Sequence, residues 1–186
     1  MIAVLFQREE FIGRNGKCYT LRSPVLSDAE NMIAYLKTTA SETEFGLSYP
    51  GEMNFTVKEE EDFISRYAKD KGSLMITAFD GERLVSNASL TCVMDRQKTR
   101  HRATFGIAVL RSEWGQGLGK KILSELISFA KEAGYEFLEL EVAASNLTAV
   151  SLYKKMGFVV CGERPRSLKL RNGEYYDELL MTIDLQ

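Results

Sequence analysis

The 186-residue sequence is poor in the residue types on which metal sites and disulfide frameworks depend. Its single histidine, His101, excludes any mechanism or metal site that needs two histidines. The three cysteines, Cys18, Cys92 and Cys161, are far apart, odd in number and without metal-ligand spacing. We therefore expect no metal site and interpret the cysteines as small buried hydrophobic residues.

Strong net charge and long apolar runs are also missing. The formal net charge is −2 and no basic stripe stands out, which argues against a nucleic-acid partner. The sequence has no run of about twenty apolar residues, and residues 1–6 are too few for the apolar part of a secretion signal. We expect a cytoplasmic protein without a membrane partner.

No proline- or serine-rich linker and no shift in composition divides the chain. Hydrophobic residues make up 45% of the sequence, which is enough for a substantial core. We expect a single domain over residues 1–186, with an extended arm at residues 1–16 and the core at about residues 17–185. The sequence leaves the oligomeric state open, a homodimer included.

The segment from Ile107 to Phe158 is the most informative part of the chain. Alternating apolar residues predict a strand that ends at Val109, and a turn with three glycines at positions 115, 117 and 119 follows. Apolar residues at helical spacing from Leu118 onward predict a helix. Free main-chain N–H groups and the positive end of the helix dipole would make the start of this helix an anion site.

Two common nucleotide motifs do not fit these glycines. A dinucleotide fingerprint that starts at Gly115 needs glycine at position 120, and a Walker A loop needs glycine at 114 and serine or threonine at 121; the chain has lysine, tryptophan and lysine there. Trp-Gly-Gln-Gly-Leu-Gly instead resembles the acetyl-CoA pyrophosphate loop of the GCN5-related N-acetyltransferase (GNAT) superfamily. That motif is Gln or Arg, two residues, Gly, one residue, then Gly or Ala. Gly117 and Gly119 match it, and Trp114 occupies the Gln/Arg position.

The segment SNLTAVSLYKKMGF, residues 145–158, is similar to the adenine-side and catalytic segment of the same superfamily. There an asparagine opens a short helix, a tyrosine follows seven residues later, and Gly-Phe closes it. Seven residues are two helical turns, so Asn146, Val150 and Tyr153 should share a face. Alone, the pattern is also that of a helix cap and a core aromatic residue. The glycine loop upstream, with a strand between, favours the functional interpretation.

The resemblance implies an α/β (α+β) fold of the GNAT type over about residues 17–185. Its mixed central sheet would have about seven strands. Along the chain, the elements would follow in the order β-α-α-β-β-β-α-β-α-β-β, and the fourth and fifth strands of this order would splay apart. Main-chain groups at 107–109 and 141–143 would pair with the pantetheine arm of acetyl-CoA. The expected cofactor-binding residues are Ile107, Ala108, Val109, Trp114, Gly115, Gln116, Gly117, Leu118, Gly119, Lys120 and Asn146.

The chemistry needs a proton donor for the departing thiolate and a base for the amine. A thiol of pKa about 8.5 and a phenol of pKa about 10 are close enough for Tyr153 to act as general acid, the role that the resemblance also implies. Many relatives carry a glutamate base where this chain has Thr104. Glu141 is the first substitute and Glu44 the second. A solvated surface carboxylate remains an alternative for both, with water as the base.

The absence of an evident base favours α-amines as acceptors. At pH 7, deprotonating a lysine-like amine costs about 4.6 kcal/mol, whereas an α-amino group costs about 1.4 kcal/mol. We expect residues 39–54 and the final hairpin to form the acceptor pocket, with Glu44, Phe45 and Tyr49 binding substrate, although a solvated loop explains these residues equally well.

Together these features predict a transferase, an acetyl-CoA-dependent N-acetyltransferase. It would transfer acetyl directly to a primary amine of a small molecule, peptide or protein N-terminus. The alternative is a non-catalytic acyl-CoA-binding sensor or interaction module on the same fold. The sequence leaves the acceptor, the base and the use of other acyl groups open.

Overall fold

The structure, a computed structural model, describes residues 5–186, so residues 1–4 of the predicted arm lie outside the described residues. Its strands are β1 (Glu9–Ile12), β2 (Cys18–Arg22), β3 (Leu74–Asp80), β4 (Arg83–Cys92), β5 (Arg102–Val109), β6 (Phe137–Ala143), β7 (Val159–Lys169) and β8 (Tyr175–Asp184). Its helices are α1 (Ala29–Glu42), α2 (Val57–Lys69), α3 (Leu118–Glu132) and α4 (Leu147–Lys155). From β2 onward this is the predicted element order, and β1 adds one strand inside the predicted arm.

The described strands form one mixed sheet in the order β1-β2-β3-β4-β5-β6-β8-β7. Antiparallel pairs join β1 to β2, β2 to β3, β3 to β4, β6 to β8 and β7 to β8. β5 and β6 are parallel, and their described register runs from Arg102 opposite Phe137 to Thr104 opposite Glu139. Residues 107–109 lie beyond the last of these pairs. The predicted mixed α/β fold is confirmed.

The chain divides into two compact units. The first contains the residues up to Thr91 together with Gly106–Leu126, and the second contains Cys92–Phe105 together with Ile127–Gln186. The chain passes from one unit to the other within β5 and again within α3. The single domain expected from the sequence remains a prediction.

Local sequence signals account for the helices. Helix α2 begins with a capping box, in which the Thr56 hydroxyl accepts from Glu59 N (3.2 Å) and the Glu59 carboxylate accepts from Thr56 N (2.8 Å). Helix α1 ends at Glu42, so its last turn lies within residues 39–54, the segment predicted to form the acceptor pocket. Within residues 5–186, no helix combines the length and apolar character needed to span a membrane.

The apolar residues of α3 define its inner face and position the loop that precedes it. Leu118, Ile122, Leu123 and Leu126 are buried in the first unit, at the spacing of a single helical face. Burial of these four side chains fixes the orientation of α3 in that unit. The first turn of the helix therefore starts from a firmly anchored residue, Leu118.

The expectation of buried cysteines is wrong. Cys18 and Cys161 are exposed, and Cys92 is partly exposed. In β2, successive side chains point to opposite faces, and Tyr19 and Leu21 take the buried face, so Cys18 points outward. In the described part of the chain, no cluster of three or more His, Cys, Asp or Glu side chains could hold a metal ion.

Candidate functional site

The glycine-rich loop lies in the first unit and leads directly into α3. Gly115 (φ 77°) and Gly117 (φ 93°) adopt left-handed backbone conformations that other residues rarely tolerate. The helical hydrogen bonds begin with Lys121 N donating to Gly117 O at 3.0 Å. Within residues 5–186, no acceptor takes the N–H groups of residues 115–120. Open N–H donors at the positive end of a helix dipole suit an anion.

Strand β5 carries the main-chain groups expected to face the cofactor. On one edge, Ala108 O accepts from the hydroxyls of Tyr35 (2.7 Å) and Ser86 (2.7 Å). The main-chain groups of neighbouring residues in a strand point to opposite edges, so those of Ile107 and Val109 point the other way. All of these groups belong to the first unit. β5 therefore presents Ile107 and Val109 at the edge that the sequence assigned to pantetheine.

The side chains of Trp114 and Gln116 form hydrogen bonds with the main chain in and before the loop. The indole Nε1–H of Trp114, the residue at the Gln/Arg position of the motif, donates to Val109 O at 2.8 Å. Gln116 Nε2 donates to Trp114 O at 3.2 Å, and Gln116 Oε1 accepts from Asn15 N at 2.9 Å. The neighbouring Lys120 is exposed. Trp114 and Gln116 thus hold the loop, while its N–H groups remain open to an anion.

A buried carboxylate that the sequence analysis did not single out stands directly before the loop. Glu113 is 3% exposed and accepts from the hydroxyls of Tyr19 (2.7 Å) and Ser112 (3.0 Å). The Tyr19 hydrogen bond is the main reason that the pKa of Glu113 is lowered, and Lys17 Nζ at 3.5 Å adds to the effect. No local pattern identifies these partners, because Tyr19 is 94 residues away in the sequence.

Glu42, named above as the last residue of α1, also supports the approach to the loop. Its Oε2 accepts from the main-chain N–H of Arg111 at 2.7 Å, three residues before Trp114. The acidic side chain is therefore used to fix the main chain between β5 and the loop. A carboxylate so engaged is a poor candidate for attracting an amine.

Residues 39–54, which the sequence assigned to the acceptor pocket, belong to the first unit. Glu44 is exposed, whereas Phe45 and Tyr49 are half-buried. Glu52 Oε2 accepts from Tyr49 N at 2.7 Å and so closes the turn that follows. In the described part of the chain, the Glu44 carboxylate makes no hydrogen bond or ion pair.

Tyr153 lies in α4, in the second unit, and is 8% exposed. Its ring makes edge contacts with the rings of Phe105 and Phe158, both with centroids 5.9 Å away. Burial raises the pKa of Tyr153 to about 12. No group within residues 5–186 hydrogen-bonds its hydroxyl. The phenol is therefore protonated at neutral pH and available to donate.

Asn146 occupies the N-cap of the same helix. Its Oδ1 accepts from Ala149 N at 3.2 Å, so the side chain performs the capping role that the sequence left open. Val150 and Tyr153 are both buried, as residues on one face of α4 should be.

Glu141 lies in β6, also in the second unit, and is tied to an arginine. Arg164 donates to Glu141 Oε2 (2.8 Å) and Oε1 (3.0 Å) and lies 3.1 Å from the buried Glu178. The Arg164 hydrogen bonds lower the pKa of Glu141. This geometry makes Glu141 a weak base. Thr104, at the position of the family's glutamate, carries no carboxylate.

Comparison with known proteins connects this geometry to a family. The family model described as "Acetyltransferase (GNAT) family" matches residues 39–158, which include the glycine loop, β6 and α4. The acetyltransferase of the GNAT family from Streptococcus pneumoniae has a similar structure, with a TM-score of 0.84 and 28% identity; the match covers 88% of this chain and 98% of that one.

Two relatives with assigned activities match shorter stretches. N-acetyltransferase 8B from Rattus norvegicus is 31% identical over 103 residues, which are 55% of this chain and 46% of the relative. L-amino acid N-acetyltransferase AaaT from Escherichia coli is 32% identical over 109 residues, 58% of this chain and 65% of the relative. The match thus spans about half the length of the first relative and just under two thirds of the second. Because the family model covers more than half of its residues, the chain belongs to the GNAT family of acetyltransferases.

Proposed function

We propose that this chain is an N-acetyltransferase that transfers an acetyl group directly from acetyl-CoA to a primary amine of a small molecule or a protein N-terminus. The observation that carries the proposal is the row of open N–H donors at residues 115–120, beside the β5 edge formed by Ile107 and Val109. Membership of an acetyltransferase family supports the same activity.

The first unit has the groups that acetyl-CoA requires. Main-chain N–H groups at the start of α3 suit a pyrophosphate, which needs several donors and a positive helix end. Ile107 and the N–H of Val109 offer a strand edge with which the amides of pantetheine can pair, while Val109 O accepts from Trp114 Nε1. In the second unit, we assign Asn146 to the adenine side, as the family motif implies. Acetyl-CoA supplies the thioester carbonyl that the amine attacks.

We assign Tyr153 as the proton donor to the departing thiolate. Its pKa of about 12 keeps the phenol protonated throughout the neutral range. Full proton transfer to a thiolate whose thiol has a pKa of about 8.5 is then uphill by roughly 5 kcal/mol. The hydroxyl is therefore most effective as a hydrogen-bond donor while negative charge develops on sulfur, before the proton is finally delivered.

The proton that the amine loses passes to water in this scheme. Both carboxylate oxygens of Glu141 accept from Arg164, which leaves that carboxylate poorly suited to act as base. A chain without a strong base suits an α-amino group, which is already partly neutral near pH 7. The E. coli relative acts, by its name, on L-amino acids, and this supports an α-amine as the acceptor.

The test is a panel of amines incubated with acetyl-CoA, scored for free thiol and for acetylated product by mass spectrometry. The panel contains amino acids, peptides with free N-termini, polyamines and aminoglycosides. We expect thiol release that depends on both the protein and an α-amine. Binding of acetyl-CoA without thiol release for any amine would instead support the non-catalytic acyl-CoA-binding module.

A further inference from the structure

The β1–β2 hairpin lies against the glycine loop, although β1 is absent from the element order that the family resemblance implies. At the hairpin tip, Arg14 N donates to Gln116 O at 3.2 Å, and Asn15 N donates to Gln116 Oε1 at 2.9 Å. Two consecutive residues of the tip thus hold one residue of the loop by its main chain and its side chain.

Other contacts along the same hairpin fix this arrangement. Asn15 Nδ2 donates to the Tyr19 hydroxyl at 3.0 Å, and that hydroxyl donates to the buried Glu113. A Cβ added at Gly117 would lie 3.4 Å from Phe11, so the hairpin also packs closely on the loop. All of these residues belong to the first unit. The position of the tip relative to the loop is therefore determined by several independent contacts.

The hairpin tip carries a positively charged side chain, that of Arg14, next to the glycine loop. Arg14 is exposed, and its guanidinium has no carboxylate partner within residues 5–186. Its main chain is hydrogen-bonded to the loop whose N–H groups form the anion site. Because the Arg14 main chain is held at the loop, its long side chain can reach a phosphate group bound there, and a guanidinium can bind such a group through two parallel hydrogen bonds.

We propose that the hairpin tip is a second wall of the cofactor site, in which Arg14 binds a phosphate group of coenzyme A. This inference rests on the proposed function, because it takes coenzyme A as the ligand of the loop. Asn15 and Gln116 act as positioning residues, and Arg14 contributes the charge. The phosphate is either the pyrophosphate or the 3′-phosphate of the ribose, and the two have the same chemistry.

The experiment measures the Kd of the full chain for coenzyme A and for dephospho-coenzyme A, which lacks the 3′-phosphate, by calorimetry. The variants are Arg14→Gln, Arg14→Lys and the matched control Arg8→Gln. Arg8 is also an exposed arginine, but it lies just before β1, on the far side of this strand of about 13 Å from the hairpin tip. We expect Arg14→Gln to raise the Kd for coenzyme A about tenfold. Arg14→Lys should recover part of the loss, and Arg8→Gln should change the Kd little.

Comparison of the two ligands shows which phosphate group Arg14 binds. A loss with coenzyme A alone assigns Arg14 to the 3′-phosphate, and an equal loss with both ligands assigns it to the pyrophosphate. If the wild-type chain binds coenzyme A and Arg14→Gln binds it equally well, or if Arg8→Gln loses as much affinity, the inference is overturned. If the wild-type chain binds neither ligand, it is the proposed function that fails.

Discussion

At the scale of single residues, Tyr153 shows how burial shapes a chemical role. Phe105 and Phe158 enclose its ring and burial raises its pKa, while its hydroxyl keeps no partner in the described part of the chain. From a seven-residue spacing, the sequence predicted that Tyr153 shares one face of α4 with Asn146 and Val150. It did not predict the raised pKa, because Phe105 comes from a strand 48 residues earlier.

The first prediction is that Tyr153→Phe lowers kcat by about 10²- to 10⁴-fold while leaving the Kd for acetyl-CoA nearly unchanged. The substitution removes only the hydroxyl and keeps the buried ring, so packing should persist. Steady-state kinetics and calorimetry measure the two quantities. Tyr67→Phe, which removes a hydroxyl from α2, is the control and should behave as wild type. If the Tyr153 variant keeps more than about a third of wild-type kcat with chemistry shown to be rate-limiting, Tyr153 serves packing alone.

The second prediction concerns pH. Tyr153 must be protonated to act, and its pKa of about 12 means that it loses its proton only at strongly alkaline pH. Activity should therefore rise with pH as the amine deprotonates and should show no decline caused by Tyr153 below about pH 10. A pH profile of kcat for the wild type and Tyr153→Phe tests this. A decline between pH 8 and 10 that is present in the wild type and absent from the variant would contradict the assigned pKa.

At the scale of helices and strands, features that depend on neighbouring residues were predictable, and contacts between residues distant in the sequence were not. The glycine turn and helix α3 were predictable, because both depend on neighbouring residues; the anion site at their junction remains a prediction. The hydrogen bond from Asn15 N to Gln116 Oε1, which helps to hold the loop, was not predictable, since the two residues are 101 apart in the sequence. Glu42 shows the same limit, because its carboxylate accepts from the main-chain N–H of Arg111, 69 residues later in the sequence.

The third prediction is that Gly117→Ala raises the Kd for acetyl-CoA about tenfold or more, equivalent to about 1.4 kcal/mol. At φ 93° a Cβ strains the backbone, and relief of that strain should displace the loop N–H groups. Gly81→Ala is the matched control, because Gly81 also has a positive φ of 61° but lies in the turn between β3 and β4. Both variants should lose similar thermal stability, and only Gly117→Ala should lose affinity. Equal affinities in two folded variants would remove the loop from the cofactor site.

The fourth prediction concerns the acceptor loop. Glu44→Lys should raise the KM for the amine about two- to fivefold and leave the KM for acetyl-CoA nearly unchanged, because an exposed carboxylate attracts a cationic substrate only weakly. Glu82→Lys, an exposed charge reversal in the turn between β3 and β4, is the control. If Glu44→Lys alters both KM values equally, or neither, Glu44 is a solvated surface residue.

At the scale of the whole molecule, the order of elements was predictable and the individual burial of small residues was not. Each helix and strand from β2 onward carries its own periodicity, so their succession could be deduced from one sequence. Whether Cys18 points inward depends on which face of β2 is covered, and that is decided by Tyr19 and Leu21 together with distant strands. The same reasoning applies to Glu141, whose basicity is set by Arg164 on β7.

Acetyl transfer from acetyl-CoA to an α-amine is tested most directly with one acceptor that carries two kinds of amine. A peptide with a free N-terminus and one lysine is incubated with acetyl-CoA and the protein, free thiol is quantified, and tandem mass spectrometry locates the acetyl group. We expect one acetyl group on the α-nitrogen for each thiol released, because the α-amine is the easier of the two to deprotonate near pH 7. Acetylation of the lysine alone, or no transfer to any amine by a chain that binds acetyl-CoA, would contradict it.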